Sequence, residues 1–258
     1  MKRRDFLRSV QAGVIVSVGA AIVRKLPMQP ATAATPLSIQ WLGHTCFRFS
    51  GGGQTVLVNP FRPLGCTANY RAPQVSTDLV LISSRLLDEG VVEGLPGRPR
   101  LLFEPGTYRT NGLEFQGIRT LHDRQNGFRF GVNVAWKWTQ AGINLLHLGG
   151  IAAPITIEQR ILMGQPDVLL IPVGGSAKAY TPEEAKAAVD SLQPKIVIPT
   201  HYLTAAANPD ACDLQPVDDF LALMQGATIR SAGSDSLSVT AGSLPSAGPV
   251  VEVMTYRF

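Results

Sequence analysis

Leu79-Val-Leu-Ile-Ser-Ser-Arg-Leu-Leu-Asp-Glu-Gly90 is an apolar, strand-like run that passes directly into a loop with acidic residues. Consecutive apolar residues followed by polar and glycine positions are typical of a buried β-strand that ends at a sheet edge. The loop contains two serines and the adjacent acids Asp88 and Glu89. Because functional side chains are often carried by loops that follow buried strands, this loop is the first candidate for a site.

Further strand-like runs recur along the chain, most of them β-branched or alternating. They cover residues 37–41, 46–49, 55–58, 79–83, 115–121, 132–138, 143–147, 168–171 and 196–199, and a last apolar run covers 250–255. Helical signals are fewer and come later. Thr181-Pro-Glu-Glu184 is a capping box with proline at the first helical position, and shorter helices are predicted over Ile157 to Met163 and Val217 to Met224. Gly51-Gly-Gly53 predicts a hairpin turn.

Six short segments resemble one known family in their order and spacing. They are Trp41-Leu-Gly-His-Thr-Cys-Phe47, Val56-Leu-Val-Asn-Pro-Phe61, Leu121-His-Asp123, His147-Leu-Gly-Gly150, Ile171-Pro-Val-Gly-Gly175 and Ile198-Pro-Thr-His-Tyr202. The chain is similar to the metallo-β-lactamase-fold superfamily, in particular to its Zn-dependent hydrolases such as ascorbate-6-phosphate lactonase. The resemblance implies an α/β fold, a four-layer αββα sandwich with two sheets inside and helices outside.

The opening loop departs from the family pattern H-x-H-x-D-H. Ser84 stands at the first His, Leu86 at the second, Asp88 at the Asp and Glu89 at the last His. Gly150 stands where the family has an Asp that bridges two metal ions. His122 and His201 remain at positions that are ligands in the family.

The resemblance therefore implies a depleted metal site. The first metal position retains His122 alone, whereas the second retains Asp88, Glu89 and His201, a weak set that suits one Zn, Mn or Fe ion. The other reading, which we favour from the sequence, is that Asp88 caps a following helix, Glu89 is solvated, and no metal binds. Because Gly150 also removes the bridge, we expect no resident cofactor, with a single metal ion as the alternative.

Three more residues fall near the cleft that the resemblance implies. His44 and His147 are each expected to be hydrogen-bonded structural histidines rather than ligands. Asn59 stands where the family has an Asp before Pro-Phe, so a carboxylate that would support the metal ligands has become neutral.

The N-terminus has the three regions of an export signal. Met1-Lys-Arg-Arg-Asp-Phe-Leu-Arg8 is followed by an apolar run from Val10 to Val23 and by Ala31-Thr-Ala33. Arg3-Arg4 with Phe6-Leu7 is close to the twin-arginine pattern, so we expect residues 1–33 to be a cleaved twin-arginine signal peptide and 34–258 to be one domain. An uncleaved anchor is the alternative, but the apolar run is shorter than the roughly 20 residues that a membrane span needs. The protein would then reside in a periplasm or a thylakoid lumen, with no stable membrane span.

Charge and cysteine content bound the remaining possibilities. Residues 1–33 hold six of the 23 Lys and Arg and one of the 19 acids, so the rest carries 17 basic against 18 acidic residues. Such a balance gives no reason to expect a nucleic-acid partner. Cys46 is expected to be a core residue, whereas Cys66 and Cys212 either pair in an oxidising compartment or remain two free thiols.

Two functions remain open. The first is an exported pseudoenzyme, a hydrolase fold whose emptied cleft acts as a binding or assembly factor for an unknown protein or small molecule. The second is a metal-dependent hydrolase of a small ester, lactone or phosphodiester that uses a residual single-metal site. Loss of several ligand types at once favours the first, and it is the function we expect from the sequence.

Overall fold

The computed structural model describes residues 35–256. The first sheet has the strand order β13-β1-β2-β3-β4-β5. Its strands are β1 (Leu37–Gly43), β2 (Cys46–Gly51), β3 (Gln54–Val58), β4 (Leu79–Leu81), β5 (Arg100–Leu102) and β13 (Ser236–Val239). Gly52 and Gly53 form the turn between β2 and β3 with φ of +60° and +76°, as the glycine run predicted.

The second sheet has the order β12-β14-β11-β10-β9-β8-β7-β6. Its strands are β6 (Gly106–Thr110), β7 (Leu113–Leu121), β8 (Val132–Gln140), β9 (Ile143–His147), β10 (Val168–Pro172), β11 (Ile196–Thr200), β12 (Thr228–Ser231) and β14 (Val250–Val253). Strands β9, β10, β11 and β14 run parallel, and β7 has the direction of β9 because β8 is antiparallel to both.

Three α-helices lie in the second half of the described chain: α1 (Ile157–Met163), α2 (Pro182–Leu192) and α3 (Val217–Leu223). The capping box predicted at Thr181 forms, and a second one, not predicted from the sequence, forms at Thr156. The Thr181 side chain accepts from the Glu184 amide, and Thr156 accepts from the Gln159 amide in the same way. The apolar face of α2, with Ala185, Val189 and Leu192, joins the main core.

The main core lies between the two sheets. Inward-facing side chains of the first sheet, such as Phe47, Phe49 and Val56, pack there with Trp136 and Leu145 of the second. Both sheets are therefore covered on their inner faces, and the α/β sandwich expected from the resemblance is confirmed.

The outer face of the first sheet has a different cover. Leu57 and Val80 alternate with the inward-facing residues and form a second cluster with side chains from loops, among them Phe61 and Tyr70. In the described chain this outer layer contains a 3₁₀ helix, Gly65–Thr67, but no α-helix between β3 and β5. The layer outside the first sheet is thus made mainly of loop.

The Cys66–Cys212 pair forms a disulfide, while Cys46 is a free, buried thiol as expected. The disulfide joins the Gly65–Thr67 turn to the end of a second 3₁₀ helix, Pro209–Ala211. Residues 35–256 lie within one compact unit. No α-helix within residues 35–256 has the length and apolarity to cross a bilayer. The signal peptide predicted over residues 1–33 lies outside the described residues, so that prediction and its domain boundary stay untested.

Candidate metal centre

The candidate site is built where strands of both sheets end. The loop 82–90 leaves β4, His122 follows β7, Gly150 lies just beyond β9, and His201 follows β11. Since β7, β9 and β11 run in one direction, their carboxyl ends meet at one edge of the second sheet. Strand polarity therefore gathers residues that are far apart in the sequence.

Glu89 lies at the centre of the site and is fully buried. Its Oε2 accepts a hydrogen bond from the Ser84 hydroxyl at 3.1 Å and lies 3.5 Å from His122 Nε2. Its Oε1 lies 3.9 Å from His201 Nδ1. Burial, reinforced by the charge of Asp88, raises the pKa of Glu89 to about 8. Without a cation the carboxyl group therefore keeps its proton at neutral pH.

The histidines around Glu89 are buried and only partly hydrogen-bonded. Both ring nitrogens of His122, Nδ1 of His201 and Nε2 of His44 have no hydrogen-bond partner among the described residues. Burial lowers the pKa of His44 and of His122 to about 4 and the pKa of His201 well below its usual value. The rings are thus neutral at pH 7 and offer free lone pairs, which is the state that a metal ligand needs.

Asp88 faces away from Glu89 and forms a separate cluster. It makes an ion pair with Lys178, and its Oδ2 lies 4.0 Å from His44 Nε2. The His44 ring in turn lies against the His201 ring, with centroids 4.1 Å apart. Burial would raise the pKa of Asp88, but His44 and the Lys178 ammonium outweigh it and hold that pKa below its usual range.

Gly150 leaves the space that Glu89 occupies. A Cβ at position 150 would lie 2.2 Å from His122 Nε2 and 2.6 Å from Glu89 Oε1, far inside contact distance. The Glu89 carboxylate therefore fills the region that a side chain at position 150 would enter. Gly150 in place of an Asp and Glu89 in place of a His are therefore departures from the family pattern that depend on each other.

Asn59 and His147 hold the surrounding backbone. The Asn59 Oδ1 accepts from the Ser83 amide at 2.8 Å, which fixes the start of the loop. His147 is buried, with Nε2 3.1 Å from the Thr45 carbonyl and Nδ1 accepting from the Gly149 amide at 3.0 Å. His147 is thus the hydrogen-bonded structural histidine that the sequence predicted. His44 is not, because its Nε2 has no partner among the described residues.

The reading of the acidic pair that we expected from the sequence is wrong. No helix follows the loop among the described residues, since 82–90 forms turns and the next regular element is β5. Asp88 has no helix to cap, and Glu89 is buried among histidines instead of solvated.

A pocket of about 390 Å³ adjoins this site and shares His201 with it. It is lined by His44, Asp88, Lys178 and His201 and by apolar side chains that include Leu86, Leu87, Phe130 and Leu214. Leu86 stands at a family ligand position but here supplies apolar lining. The pocket therefore combines charged groups and imidazoles with an apolar surface.

Sequence reasoning missed Lys178 and the residues that hold it. Lys178 lies in the loop between β10 and α2, a region with no motif that singles out a lysine. It also missed Asp123, whose carboxylate accepts from the amides of Gln125, Gly127, Arg129 and Phe130. The one sequence signal for this role is that Asp123 is the single acidic residue in the loop 122–131.

The residues present do not fit a two-ion centre. Position 150 has no side chain, Ser84 and Leu86 replace imidazoles, and the Lys178 ammonium already occupies Asp88. Among residues 35–256, no group of three or more His, Cys, Asp or Glu side chains is arranged so that it could hold a metal ion as it stands.

One ion is a different case. Two ligand atoms on one tetrahedral zinc stand about 3.3 Å apart. The Glu89 distances of 3.5 Å to His122 and 3.9 Å to His201 exceed that separation only slightly. The two distances involve Oε2 and Oε1 of Glu89 in turn, so the three residues are compatible with a single ion only once their side chains close in around it.

Comparison with known proteins identifies the family. The family described as "Beta-lactamase superfamily domain" matches residues 38–201, so the chain belongs to it. A solved structure from Thermotoga maritima, assigned to the Zn-dependent hydrolases of the metallo-β-lactamase superfamily, superposes with a TM-score of 0.67 at 30% identity. It covers 85% of this chain and 100% of its own.

Curated relatives carry the same kind of name. A UPF0173 metal-dependent hydrolase of Methanoculleus marisnigri is 29% identical over 66% of this chain and 83% of its own. One from Thermoplasma acidophilum is 28% identical over 65% of this chain and 84% of its own. The pseudoenzyme predicted from the sequence is therefore contradicted, because these relatives are named hydrolases.

Proposed function

We propose that this protein is a metal-dependent hydrolase that works with one ion, held by Glu89, His122 and His201. Its substrate class is a small ester, lactone or phosphodiester. The observation that carries the proposal is that all three residues are buried with unpartnered nitrogen or oxygen atoms, and that His122 and His201 each lie within 4 Å of the Glu89 carboxyl group. Unpaired buried polar atoms cost roughly 1–3 kcal/mol each, a cost that a bound cation removes.

The chain's own residues prepare the site in three ways. Burial keeps the two imidazoles neutral, so that their lone pairs are free. The Ser84 hydroxyl orients Glu89. Gly150 leaves that carboxylate its room. When bound, a Zn, Mn or Fe ion supplies a Lewis acid and a water of lowered pKa.

Loading of the site must displace the Glu89 proton, because the pKa of that group is raised to about 8. Apparent metal affinity is therefore expected to rise as pH increases toward 8. The apolar pocket walls then exclude bulk water from the substrate.

Export by the twin-arginine route is part of the proposal. It is supported by the Arg3-Arg4 leader and by the Cys66–Cys212 disulfide, since such bonds persist in oxidising compartments. The route carries folded proteins, which suits a protein that takes up its metal before transport. Fusing residues 1–33 to a reporter and testing its export in cells without the twin-arginine translocase would check this part.

The decisive experiment is metal binding by the full mature domain. We expect about one Zn, Mn or Fe ion per chain after loading and desalting. Glu89→Gln keeps the shape but removes the charge, and it should weaken binding at least 10-fold and abolish ester or lactone turnover. Glu252→Gln is the matched control, because Glu252 is also buried but pairs with Arg230 instead. Equal metal content in Glu89→Gln and Glu252→Gln would contradict the proposal.

A further inference from the structure

Lys178 brings a fixed positive charge to the mouth of the site. Its ammonium pairs with the Asp88 carboxylate, and the two side chains are only 26% and 19% exposed. Asp88 stands at a position that the family resemblance assigns to the second metal ion. The Lys178 ammonium, which carries one positive charge, therefore lies where a divalent metal ion would otherwise bind.

The loop that carries Lys178 is fastened on both sides of it. The Arg124 guanidinium donates to the Ser176 carbonyl at 2.8 Å and to the Ala179 carbonyl at 2.9 Å. The same guanidinium is paired with Glu184 through two hydrogen bonds. The Arg124 guanidinium has five donors in a fixed planar arrangement, so it can bind both carbonyls and Glu184 at once. These hydrogen bonds hold the loop that places Lys178 beside Asp88.

An independent observation marks the same spot. The Nε2 of His44 has no hydrogen-bond partner among the described residues, is 2% exposed and lies 4.0 Å from Asp88 Oδ2. His44 has φ of +53°, a left-handed conformation that is uncommon for a residue other than glycine. A buried, unpaired nitrogen aimed at a carboxylate leaves a position for an additional polar atom.

We propose that the Lys178 ammonium replaces the second cation of a two-ion hydrolase and contacts the substrate oxygen on which negative charge develops. This inference rests on the proposed function and extends it to a named catalytic residue. One ammonium proton is engaged by Asp88, while the side chain also lines the pocket. The remaining donors can therefore reach a carbonyl, phosphoryl or leaving-group oxygen.

The role is electrostatic and needs no bond to Lys178. A preplaced ammonium in a partly buried position stabilises a developing oxyanion without reorganisation. The same charge excludes a divalent ion from Asp88, because two cations within a few ångströms repel strongly at low dielectric. One ion together with one lysine then gives the site its two positive centres.

The pocket also selects the substrate class. The pocket lining around Lys178 includes four apolar side chains, Leu86, Leu87, Phe130 and Leu214. The substrate group next to the reacting oxygen is therefore expected to be apolar. The geometry thus favours esters or lactones with an alkyl or aryl substituent over small, highly charged sugars.

The test measures metal stoichiometry before activity. Zinc binding is titrated by mass spectrometry of native protein in the wild type, Lys178→Met and Lys178→Arg. Removing the charge frees Asp88 and His44, so Lys178→Met should bind one more ion per chain than the wild type, whereas Lys178→Arg should not. Lys195→Met is the control, because Lys195 also pairs with an aspartate, Asp167 at 2.8 Å, outside the pocket.

A second readout is turnover of a neutral aryl ester. Lys178→Met should lose about 100-fold in kcat with little change in KM, and Lys178→Arg should recover part of it. If Lys178→Met does not fold, Lys178→Gln gives the same comparison with a donor retained. An unchanged zinc stoichiometry in the uncharged variants overturns this inference while leaving the proposed function intact. Failure of the wild type to bind any of Zn, Mn and Fe would instead overturn the proposed function, and the variant would still show whether the ammonium keeps an ion from Asp88.

Discussion

At the scale of single residues, Glu89 and Gly150 determine each other. Read separately, each is the loss of a metal ligand, and together they suggested an empty site. In the folded chain the Glu89 carboxylate occupies space that any side chain at position 150 would need. One change therefore explains the other, and the cleft retains a carboxylate between two histidines.

Gly150→Ala tests this coupling. The added Cβ would contact His122 Nε2 and Glu89 Oε1 at 2.2 and 2.6 Å, so one of them must move. We expect a loss of about 1–3 kcal/mol in the free energy of unfolding and much weaker metal binding. Denaturant titration and metal analysis measure both.

Gly242→Ala is the control, because a Cβ there meets nothing within 4 Å. Its unfolding free energy and metal content should match the wild type. If Gly150→Ala also matches, Glu89 does not depend on the space at position 150.

At the scale of elements, the sequence predicted the central strands and missed the edges. Strands β5, β6, β12 and β13 were not recognised, and these are the four edge strands of the two sheets. Their residues are largely exposed, so they lack the continuous or alternating apolar pattern that marks a strand. An edge strand forms because it makes hydrogen bonds with the neighbouring strand. Its own sequence does not show that pairing.

The Cys66–Cys212 disulfide joins two short 3₁₀ segments at the pocket opening. It closes a loop over a sequence separation of 146, for which chain entropy predicts up to about 5 kcal/mol of stabilisation. Cys66→Ser with Cys212→Ser should therefore lower the melting temperature and increase hydrogen exchange around residues 62–70 and 205–214. The strands at the core should stay protected.

Cys46→Ala serves as the control, since Cys46 is a free, buried thiol. It should leave exchange at the pocket opening unchanged. Equal exchange with and without the disulfide would show that packing alone holds these segments.

At the scale of the whole molecule, every histidine of the chain is buried. Burial lowers the pKa of His44, His122 and His147 to about 4 and lowers that of His201 well below its usual value. The histidines of the unfolded chain take up protons near pH 6.5, whereas the buried histidines of the folded chain resist protonation until the pH is much lower. Protonation therefore favours the unfolded chain between pH 6.5 and 4. Stability from the histidines is full above pH 6.5 and declines as pH falls.

Glu89 acts in the opposite direction. Its pKa is raised from 4.5 to about 8, so the folded chain holds a proton that the unfolded chain releases, and this contribution is lost as pH rises through 8. On acidification four histidines destabilise the folded chain and one carboxyl group stabilises it, so the free energy of unfolding falls. Metal-free protein should lose roughly 1.4 kcal/mol per pH unit for each excess proton between pH 6.5 and 5. Urea titrations at several pH values measure this, and a flat profile would contradict the burial of neutral histidines.

The sequence by itself determined the family, the central strands, the capped helices and the positions of the retained histidines. Those features depend on local pattern and on spacing, which survive without coordinates. Only the tertiary structure decided what the missing ligands mean. It placed Glu89 in the space left by Gly150, brought Lys178 from a distant loop onto Asp88, and joined Cys66 to Cys212. Such contacts arise from strand polarity and sheet packing between residues far apart in the chain, so no local pattern in the sequence records them.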